Sequence, residues 1–145
     1  MTALIDTNIL LDVLARREPF YAAASRVWTL AERGSTRALV SAISFNNVYY
    51  IVRKASGKGQ ADLALRLMRD IFEVVAVDAR IVDLAMEDRS VDDFEDAIQL
   101  HSAIQSHAPH LVTRNTSDFP RDRVSVLSPD EFLALSRTDS DDSAE

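Results

Sequence analysis

Short apolar segments alternate with longer segments of helical periodicity along the whole chain, and this alternation restricts the fold more than any other feature. Each short segment predicts a buried strand, and each periodic segment predicts a helix. The predicted strands end at Ile5 and cover residues 37–41, 74–77, 110–113 and 124–127. Such alternation is typical of an α/β fold, in which helices cover both faces of a mostly parallel sheet.

Start and stop signals delimit the helical segments. Glu18-Pro19 ends the first predicted helix, Gly34 ends the second, and Asp78 is a suitable N-cap for the fifth. A last helix opens at residues 128–131, with proline in its first turn. The other predicted helices cover about residues 8–17, 20–33, 42–55, 60–72, 78–88 and 94–107.

The length of 145 residues fits one domain with a single core. We assign residues 1–137 to this domain and expect the polar, acidic residues 138–145 to be disordered. The chain has no cysteine, which excludes disulfides and thiolate metal ligands. Because it shows neither a membrane-spanning apolar run nor the pattern of a signal peptide, we expect a cytoplasmic protein without membrane association.

The formal net charge of −7 does not favour a general affinity for nucleic acid, because domains that bind nucleic acid are usually basic. Residues 138–145 carry four acidic residues and no basic one. Without them, 19 acidic residues face 16 basic ones, so the rest of the chain is only mildly acidic. A nuclease of this composition would contact phosphates through individual arginines and bound cations.

Carboxylates follow two of the predicted strands and open one of the predicted helices. Asp6 directly follows the first strand, and Asp118 lies in the loop after the strand at 110–113. Asp93 and Asp96 are three residues apart at the start of a helix, which places them on the same side. Sites in open parallel sheets lie beyond the carboxyl ends of the strands, so these four acids form the candidate site.

Carboxylates that lie close together repel one another, and a divalent cation offsets this repulsion. Mg²⁺ and Mn²⁺ prefer oxygen ligands and can assist the cleavage of a phosphodiester. The four acids are consistent with that chemistry. Each one alone also has a structural explanation, with Asp6 as a helix cap, Asp93 and Asp96 as first-turn acids, and Asp118 as a turn residue.

Three ordered motifs resemble those of the PIN-domain family, which includes the VapC-type toxins of bacterial toxin–antitoxin pairs. The motifs are residues 4–10 (LIDTNIL), residues 96–103 (DAIQLHSA), and residues 111–115 (LVTRN) with Asp118. The similarity covers about residues 1–135. The first motif alone is short, whereas the ordered set is specific.

The resemblance implies a three-layer α/β/α sandwich and the hydrolysis of RNA phosphodiesters with Mg²⁺ or Mn²⁺. By matching position, Asp6 and Asp96 would be the main metal ligands, and Asp118 would complete the site directly or through water. The residues that would orient these ligands or the phosphate are Asn8, Asn47, Thr113 and Asn115.

The same resemblance implies a biological setting, the toxin half of a type II toxin–antitoxin pair. RNA would be the substrate, and an antitoxin protein would cover the acidic site. The chain would form a homodimer, with Trp28, Phe45 or Tyr49 in the contact.

One position departs from the usual pattern of the family. The family has a glutamate in the helix after the second strand, and Asn47 lies at about that position. An asparagine oxygen can bind a cation but carries no charge, so the affinity for metal is expected to fall. We hypothesise that Asp93 supplies the missing charge from the adjacent helix.

Two alternative functions concern the same residues. A catalytically weak PIN-like domain that binds RNA or a protein partner is favoured by Asn47 and by the acidic net charge. A phosphotransfer enzyme with an aspartate nucleophile, as in haloacid-dehalogenase-like enzymes, would need a second aspartate two residues after Asp6. That position is Asn8, which argues against such an enzyme.

Four further side chains invite functional interpretation. Arg114 lies inside the third motif and is the candidate for phosphate contact in RNA binding. His101 lies on the apolar stripe of its helix, which favours a packed, hydrogen-bonded histidine over a metal ligand. Tyr49 and Tyr50 could stack on bases, but their helical position favours packing in a core or an interface.

Overall fold

The computed structural model describes the backbone of residues 1–144 and the side chains of residues 1–139. Its centre is a five-stranded sheet with the strand order β3-β2-β1-β4-β5. The strands are β1 Thr2–Ile5, β2 Arg37–Ser41, β3 Glu73–Val75, β4 His110–Val112 and β5 Ser125–Leu127. All pairings between these neighbours are parallel, which confirms the predicted sheet.

Seven helices lie in the described part of the chain. They are α1 Thr7–Leu14, α2 Tyr21–Glu32, α3 Ala42–Ser56, α4 Lys58–Ile71, α5 Ala79–Glu87, α6 Phe94–Gln105 and α7 Pro129–Ala144, with a short 3-10 turn at Thr116–Asp118. Asp78 caps α5, as predicted, by accepting a hydrogen bond from the N–H of Ile81 at 3.0 Å. Within residues 1–144, no helix is long and apolar enough to cross a membrane.

The sheet separates two apolar cores, because successive side chains of a strand point to opposite faces. Ala3 and Ile5 of β1 join one core with buried residues of α1, α2, α3, α4 and α7. Leu4 joins the other core with buried residues of α5 and α6. The molecule is therefore the α/β/α sandwich that the resemblance implied.

The pairing of β1 with β4 brings two motifs together. Ile5 lies opposite Val112 in this parallel pair, so the residues that follow, Asp6 and Thr113, lie side by side. The N–H of Asp6 continues the ladder by donating to the carbonyl oxygen of Val112 at 3.0 Å. Since α6 packs against β1, its first turn, which carries Asp96, lies beside the same edge of the sheet.

The last helix extends further than the sequence predicts. Ser128 and Glu131 form a capping box, in which each backbone N–H is bound by the side chain of the other at 3.0 and 3.1 Å. Helix then continues to Ala144, through most of the segment for which we expected disorder, and Glu145 lies outside the described residues. Residues 130–144 contain no proline or glycine to interrupt the backbone hydrogen bonds.

Candidate active site

An open cleft of about 800 Å³ lies at the carboxyl edge of the sheet, where the sequence predicts the site. The four predicted acids all line it, together with the predicted residues Asn8, Asn47 and Asn115. The carboxylates in its wall are Asp6, Asp92, Asp93, Glu95, Asp96 and Asp118. No arginine, lysine or histidine is among its described lining residues, so the cleft is strongly acidic.

Asp6 caps α1 and also lines the cleft, so its role as a helix cap does not exclude a role in the site. Its side chain is 4% exposed. One carboxylate oxygen accepts from the N–H of Thr7 at 2.7 Å, and the other accepts from the hydroxyl of Thr113 at 2.8 Å. Burial raises the pKa of Asp6 to about 6, against the effect of these two hydrogen bonds, and the charges of Glu95 and Asp118 raise it further.

Asp96 lies in the first turn of α6 and is half-buried. Burial is the largest cause that raises the pKa of Asp96 to about 7, and the negative charge of Asp6 is the next. Asp93, Asp118 and Glu95 also raise this pKa by their charge. The acids that the sequence places in three separate segments thus act on one another electrostatically in the folded protein.

Asp93 is the N-cap of α6, where its side chain accepts from the N–H of Asp96 at 3.0 Å. It is exposed and lines the cleft, as does Asp118 at the end of the 3-10 turn. Glu95 also lines the cleft, although the sequence analysis did not select it. Glu95 lies inside the acidic run 92–96, but helical spacing pairs acids three residues apart, such as Asp93 and Asp96, and so passes over Glu95.

The residues present fit a hard divalent cation. Within the described residues, no group of three or more histidine or acidic side chains is arranged to hold a metal ion. Mg²⁺ usually keeps several waters and binds through only one or two carboxylates, so a pair of acids is sufficient. Asp6 and Asp96 both line the cleft, and the charge of Asp6 opposes the ionisation of Asp96, which a bound cation would favour.

Thr113 is the hydrogen-bonding centre beside Asp6. Besides donating to Asp6, its buried hydroxyl oxygen accepts from the N–H of Asn115 at 3.1 Å and from the side-chain amide of Asn8 at 3.4 Å. The side-chain oxygen of Asn8 accepts from the N–H of Arg114 at 3.3 Å. These bonds hold the loop after β4 against α1, and the role of Asn8 and Thr113 in orienting metal ligands or phosphate stays a prediction.

The opposite wall of the cleft is formed by α3. Asn47 is half-buried there, and its amide nitrogen is buried without a hydrogen-bond partner among the described residues. Asn46, Tyr50 and Ile51 line the same wall, and Tyr50 is 66% exposed. Tyr49 instead lies against Arg53, whose guanidinium carbon is 5.9 Å from the centre of the ring.

Arg114 does not line the acidic cleft. Its Nε lies 3.0 Å from one carboxylate oxygen of Asp12, and a terminal nitrogen lies 3.2 Å from the other. The guanidinium carbon also lies 4.0 Å from the centre of the Phe20 ring. Phosphate contact by Arg114 stays a prediction, and the terminal N–H groups that do not bond to Asp12 would have to make it.

Two other side chains that the sequence analysis names, His101 and Trp28, are packed against other side chains of the fold. His101 is 6% exposed, and its Nε2 lies 2.7 Å from the carboxylate of Asp88, so it is the packed, hydrogen-bonded histidine that we expected. Trp28 packs edge to face on Phe72, with the ring centres 5.0 Å apart, and contributes to the core.

A parallel sheet with an acidic, oxygen-lined cleft at its carboxyl edge defines a class of α/β proteins that can hold a divalent cation at the strand ends. The comparison with known families narrows this class. A family model described as the PIN domain matches residues 2–117. The chain belongs to the PIN-domain family.

Solved structures with a similar fold come from bacterial toxin–antitoxin systems. A toxin–antitoxin complex from Klebsiella pneumoniae is 26% identical, with a TM-score of 0.66 over 88% of this chain and 97% of that one. DNA-bound VapBC from Salmonella typhimurium is 14% identical, with a TM-score of 0.70 over 89% and 98%. VapC20 from Mycobacterium tuberculosis, described as a sarcin–ricin loop cleaving toxin, is 15% identical, with a TM-score of 0.63 over 75% and 86%.

These likenesses show that the fold is VapC-like. Among curated proteins, none matches the chain.

Proposed function

We propose that the protein is a divalent-metal-dependent endoribonuclease and the toxin of a type II toxin–antitoxin pair. The observation that carries the proposal is the pair Asp6 and Asp96, which share one acidic cleft at the carboxyl edge of a PIN-domain sheet. The VapC-like fold supports a nuclease, and one protein of that fold is described as a sarcin–ricin loop cleaving toxin.

The proposal assigns a separate role to each group of side chains at the cleft. Asp6 and Asp96 would hold Mg²⁺ or Mn²⁺, with Asp93 and Asp118 adding negative charge at the cleft. Thr113 would keep Asp6 ionised and oriented, because its hydroxyl donates to the carboxylate. A bound cation would supply the positive charge and the polarisation that phosphodiester hydrolysis needs.

An antitoxin protein is the proposed partner. The cleft has only acidic and neutral described lining residues, so a basic side chain of the partner would be attracted into it.

The proposal includes a homodimer and a cytoplasmic location. The named dimer contacts Trp28 and Phe45 pack against the core as partly buried residues, which leaves part of each side chain for a dimer contact.

A second function is favoured by one specific observation. Asn47 lines the cleft where the family usually has a carboxylate, and no basic side chain is among the described lining residues to hold a phosphate. A catalytically weak PIN domain that binds RNA or a protein would have such a site.

Cleavage of mixed RNA in the presence of Mn²⁺ tests the proposal. Asp6→Asn and Asp96→Asn should both abolish cleavage, while Asp83→Asn, an exposed acid on α5, should leave it intact. Asparagine is as good an N-cap as aspartate, so Asp6→Asn removes the charge without removing the cap. Cleavage that persists in both site variants would refute the proposal. RNA binding without cleavage under any metal would support the second function.

A further inference from the structure

Three buried polar side chains meet beneath the acidic cleft. The amide nitrogen of Gln99 donates to the hydroxyl oxygen of Thr7 at 3.1 Å and to that of Ser44 at 2.9 Å. The two hydroxyl oxygens are themselves 2.7 Å apart. Gln99 and Ser44 are fully buried, and Thr7 is 5% exposed. We refer to these three groups as the polar triangle.

The hydrogen count of the polar triangle determines which way the Gln99 amide faces. Three short contacts need three hydrogens, and the NH₂ group supplies two while one hydroxyl supplies the third. If the carbonyl oxygen of Gln99 faced the hydroxyls, the two O–H groups would be used on it and their own contact would have no hydrogen. With the amide in this orientation, its carbonyl oxygen is buried without a partner among the described residues.

Each corner of the polar triangle lies next to a residue of the cleft. Thr7 directly follows Asp6 in the chain. Ser44 lies three residues before Asn47 on α3, and Gln99 lies three residues after Asp96 on α6. Residues three apart in a helix share a face, so Ser44 and Gln99 lie about one turn from Asn47 and Asp96, and Thr7 itself lines the cleft.

We propose that Gln99 is a positioning residue, which sets the separation of Asp6, Asp96 and Asn47 by bonding to the elements that carry them. The inference rests on the proposed function, because it concerns the metal site of that function. A buried carbonyl oxygen without a hydrogen-bond partner among the described residues is costly for stability. The chain keeps the amide because its two N–H groups hold α1, α3 and α6 in one arrangement.

The direct test is Gln99→Met, which keeps the side-chain volume and removes both donors. The variant is expected to fold, because the hydroxyls of Thr7 and Ser44 still bond to each other. Mn²⁺ binding, measured by electron paramagnetic resonance of free Mn²⁺, should weaken, by less than the roughly 10- to 100-fold that follows the loss of a group bonded directly to a metal ligand.

Variants at Thr7, a second corner of the polar triangle, provide another test of the inference. Thr7→Val should reproduce the loss seen with Gln99→Met, whereas Thr7→Ser, which keeps the hydroxyl, should stay near the wild type. The double variant of Gln99→Met and Thr7→Val should lose less than the sum of the two single losses, because both changes remove the bond between Gln99 and Thr7 and act on one connected group.

Two control variants separate positioning from a general loss of stability. Gln105→Met makes the same substitution at the end of α6 and should leave Mn²⁺ binding unchanged. Ser102→Ala removes a buried hydrogen bond of 3.2 Å from α6 to Ser41, the N-cap of α3, and leaves the three bonds of the polar triangle in place. If Gln99→Met lowers the melting temperature no more than Ser102→Ala and both keep wild-type Mn²⁺ affinity, the inference is overturned.

Amide hydrogen exchange of the metal-free protein distinguishes this inference from the proposed function. Gln99→Met should speed exchange in the first turns of α1 and α3 relative to Ser102→Ala at matched stability. If the wild type binds no Mn²⁺ and cleaves no RNA, the proposed function fails, and faster exchange in these turns still supports Gln99 as the residue that sets the geometry. Unchanged exchange overturns the inference whatever the activity.

Discussion

Arg114 and Asp12 form a two-point ion pair, although 102 positions separate them in the chain. The Asp12 carboxylate is 1% exposed, and the Arg114 side chain is 28% exposed. Phe20 stacks on the guanidinium, with its ring centre 4.0 Å from the guanidinium carbon. The pair fastens the loop after β4, which carries Asp118, to α1, which begins at Asp6.

Replacing Arg114 by methionine should destabilise the fold strongly. The change leaves the carboxylate of Asp12 buried, with Arg17 at 4.0 Å as its remaining ion-pair partner among the described residues. Breaking one partner of a buried pair costs about 3–5 kcal/mol, so urea unfolding should show a fall of that size. Arg37→Met is the matched control, because it breaks the exposed pair with Glu73 and should cost far less. Equal losses in the two variants would show that Asp12 does not depend on Arg114.

The metal-free protein should lose stability as the pH rises from about 4 to about 7. An unfolded aspartate has a pKa near 3.8, whereas the pKa of Asp6 is raised to about 6 and that of Asp96 to about 7. Between these values the unfolded chain has released protons that the folded protein still holds, so unfolding is favoured. Below pH 4 both states are protonated and this penalty is absent. Mn²⁺ should stabilise the protein more at pH 8 than at pH 5, because its ligands must be ionised.

Melting temperatures across pH 4–8 check this dependence, with Asp96→Asn as the reference. The pKa of His110 is lowered by burial, which acts in the opposite direction near pH 6.5 and is shared by both proteins. The pKa of Asp88 is lowered chiefly by Arg123, and its effect is confined to pH values below about 4. The difference in melting temperature between the wild type and Asp96→Asn should therefore report the contribution of Asp96 together with its interaction with Asp6. A difference that does not change with pH would contradict the expectation.

Asp93→Asn tests whether Asp93 supplies the charge that Asn47 lacks. Asparagine keeps the N-cap bond to the N–H of Asp96, so the melting temperature should stay within a degree or two while the charge is removed. Mn²⁺ affinity and RNA cleavage should both fall several-fold. If both are unchanged, Asp93 is only a helix cap, and Glu95→Gln becomes the variant to measure.

Asn47→Asp should strengthen metal binding. The substitution keeps the shape of the side chain and adds a negative charge to a cleft that Asp6 and Asp96 already line. Calorimetry should show tighter Mn²⁺ binding than in the wild type, and the metal-free variant should melt at a lower temperature because the carboxylates repel one another. Weaker Mn²⁺ binding in Asn47→Asp would mean that Asn47 does not face the cation.

A chain that ends at Arg137 should keep its stability, which tests the proposed domain boundary of residues 1–137. Among the described side chains of α7, Phe132 and Leu133 are buried, and those of residues 137–139 are exposed. The free energy of unfolding should change by less than about 0.5 kcal/mol, the usual effect of exposed positions. A larger loss in chemical denaturation would place residues 138–145 inside the folding unit.

The sequence by itself determined the features that depend on near neighbours. The alternation of apolar segments predicted the parallel sheet, because each strand and helix carries its own period. The caps at Asp78 and Ser128 are visible because a capping side chain bonds within three residues of itself. The carboxyl-edge rule then predicted Asp6 and Asp118 at one edge of the sheet, since it needs only the order of strands and loops, and Asp96 was added as an acid at the start of a helix.

Only the tertiary structure decided the contacts between distant side chains. From the sequence alone, Gln99 is an ordinary polar residue of a helix. Its burial against Thr7 depends on how α6 packs on the sheet. Arg114 reads as a candidate for phosphate contact, and its pairing with Asp12 depends on where the loop after β4 meets α1. A local pattern states which groups can donate or accept, but the partner of a buried group is the one that packing brings within hydrogen-bond distance.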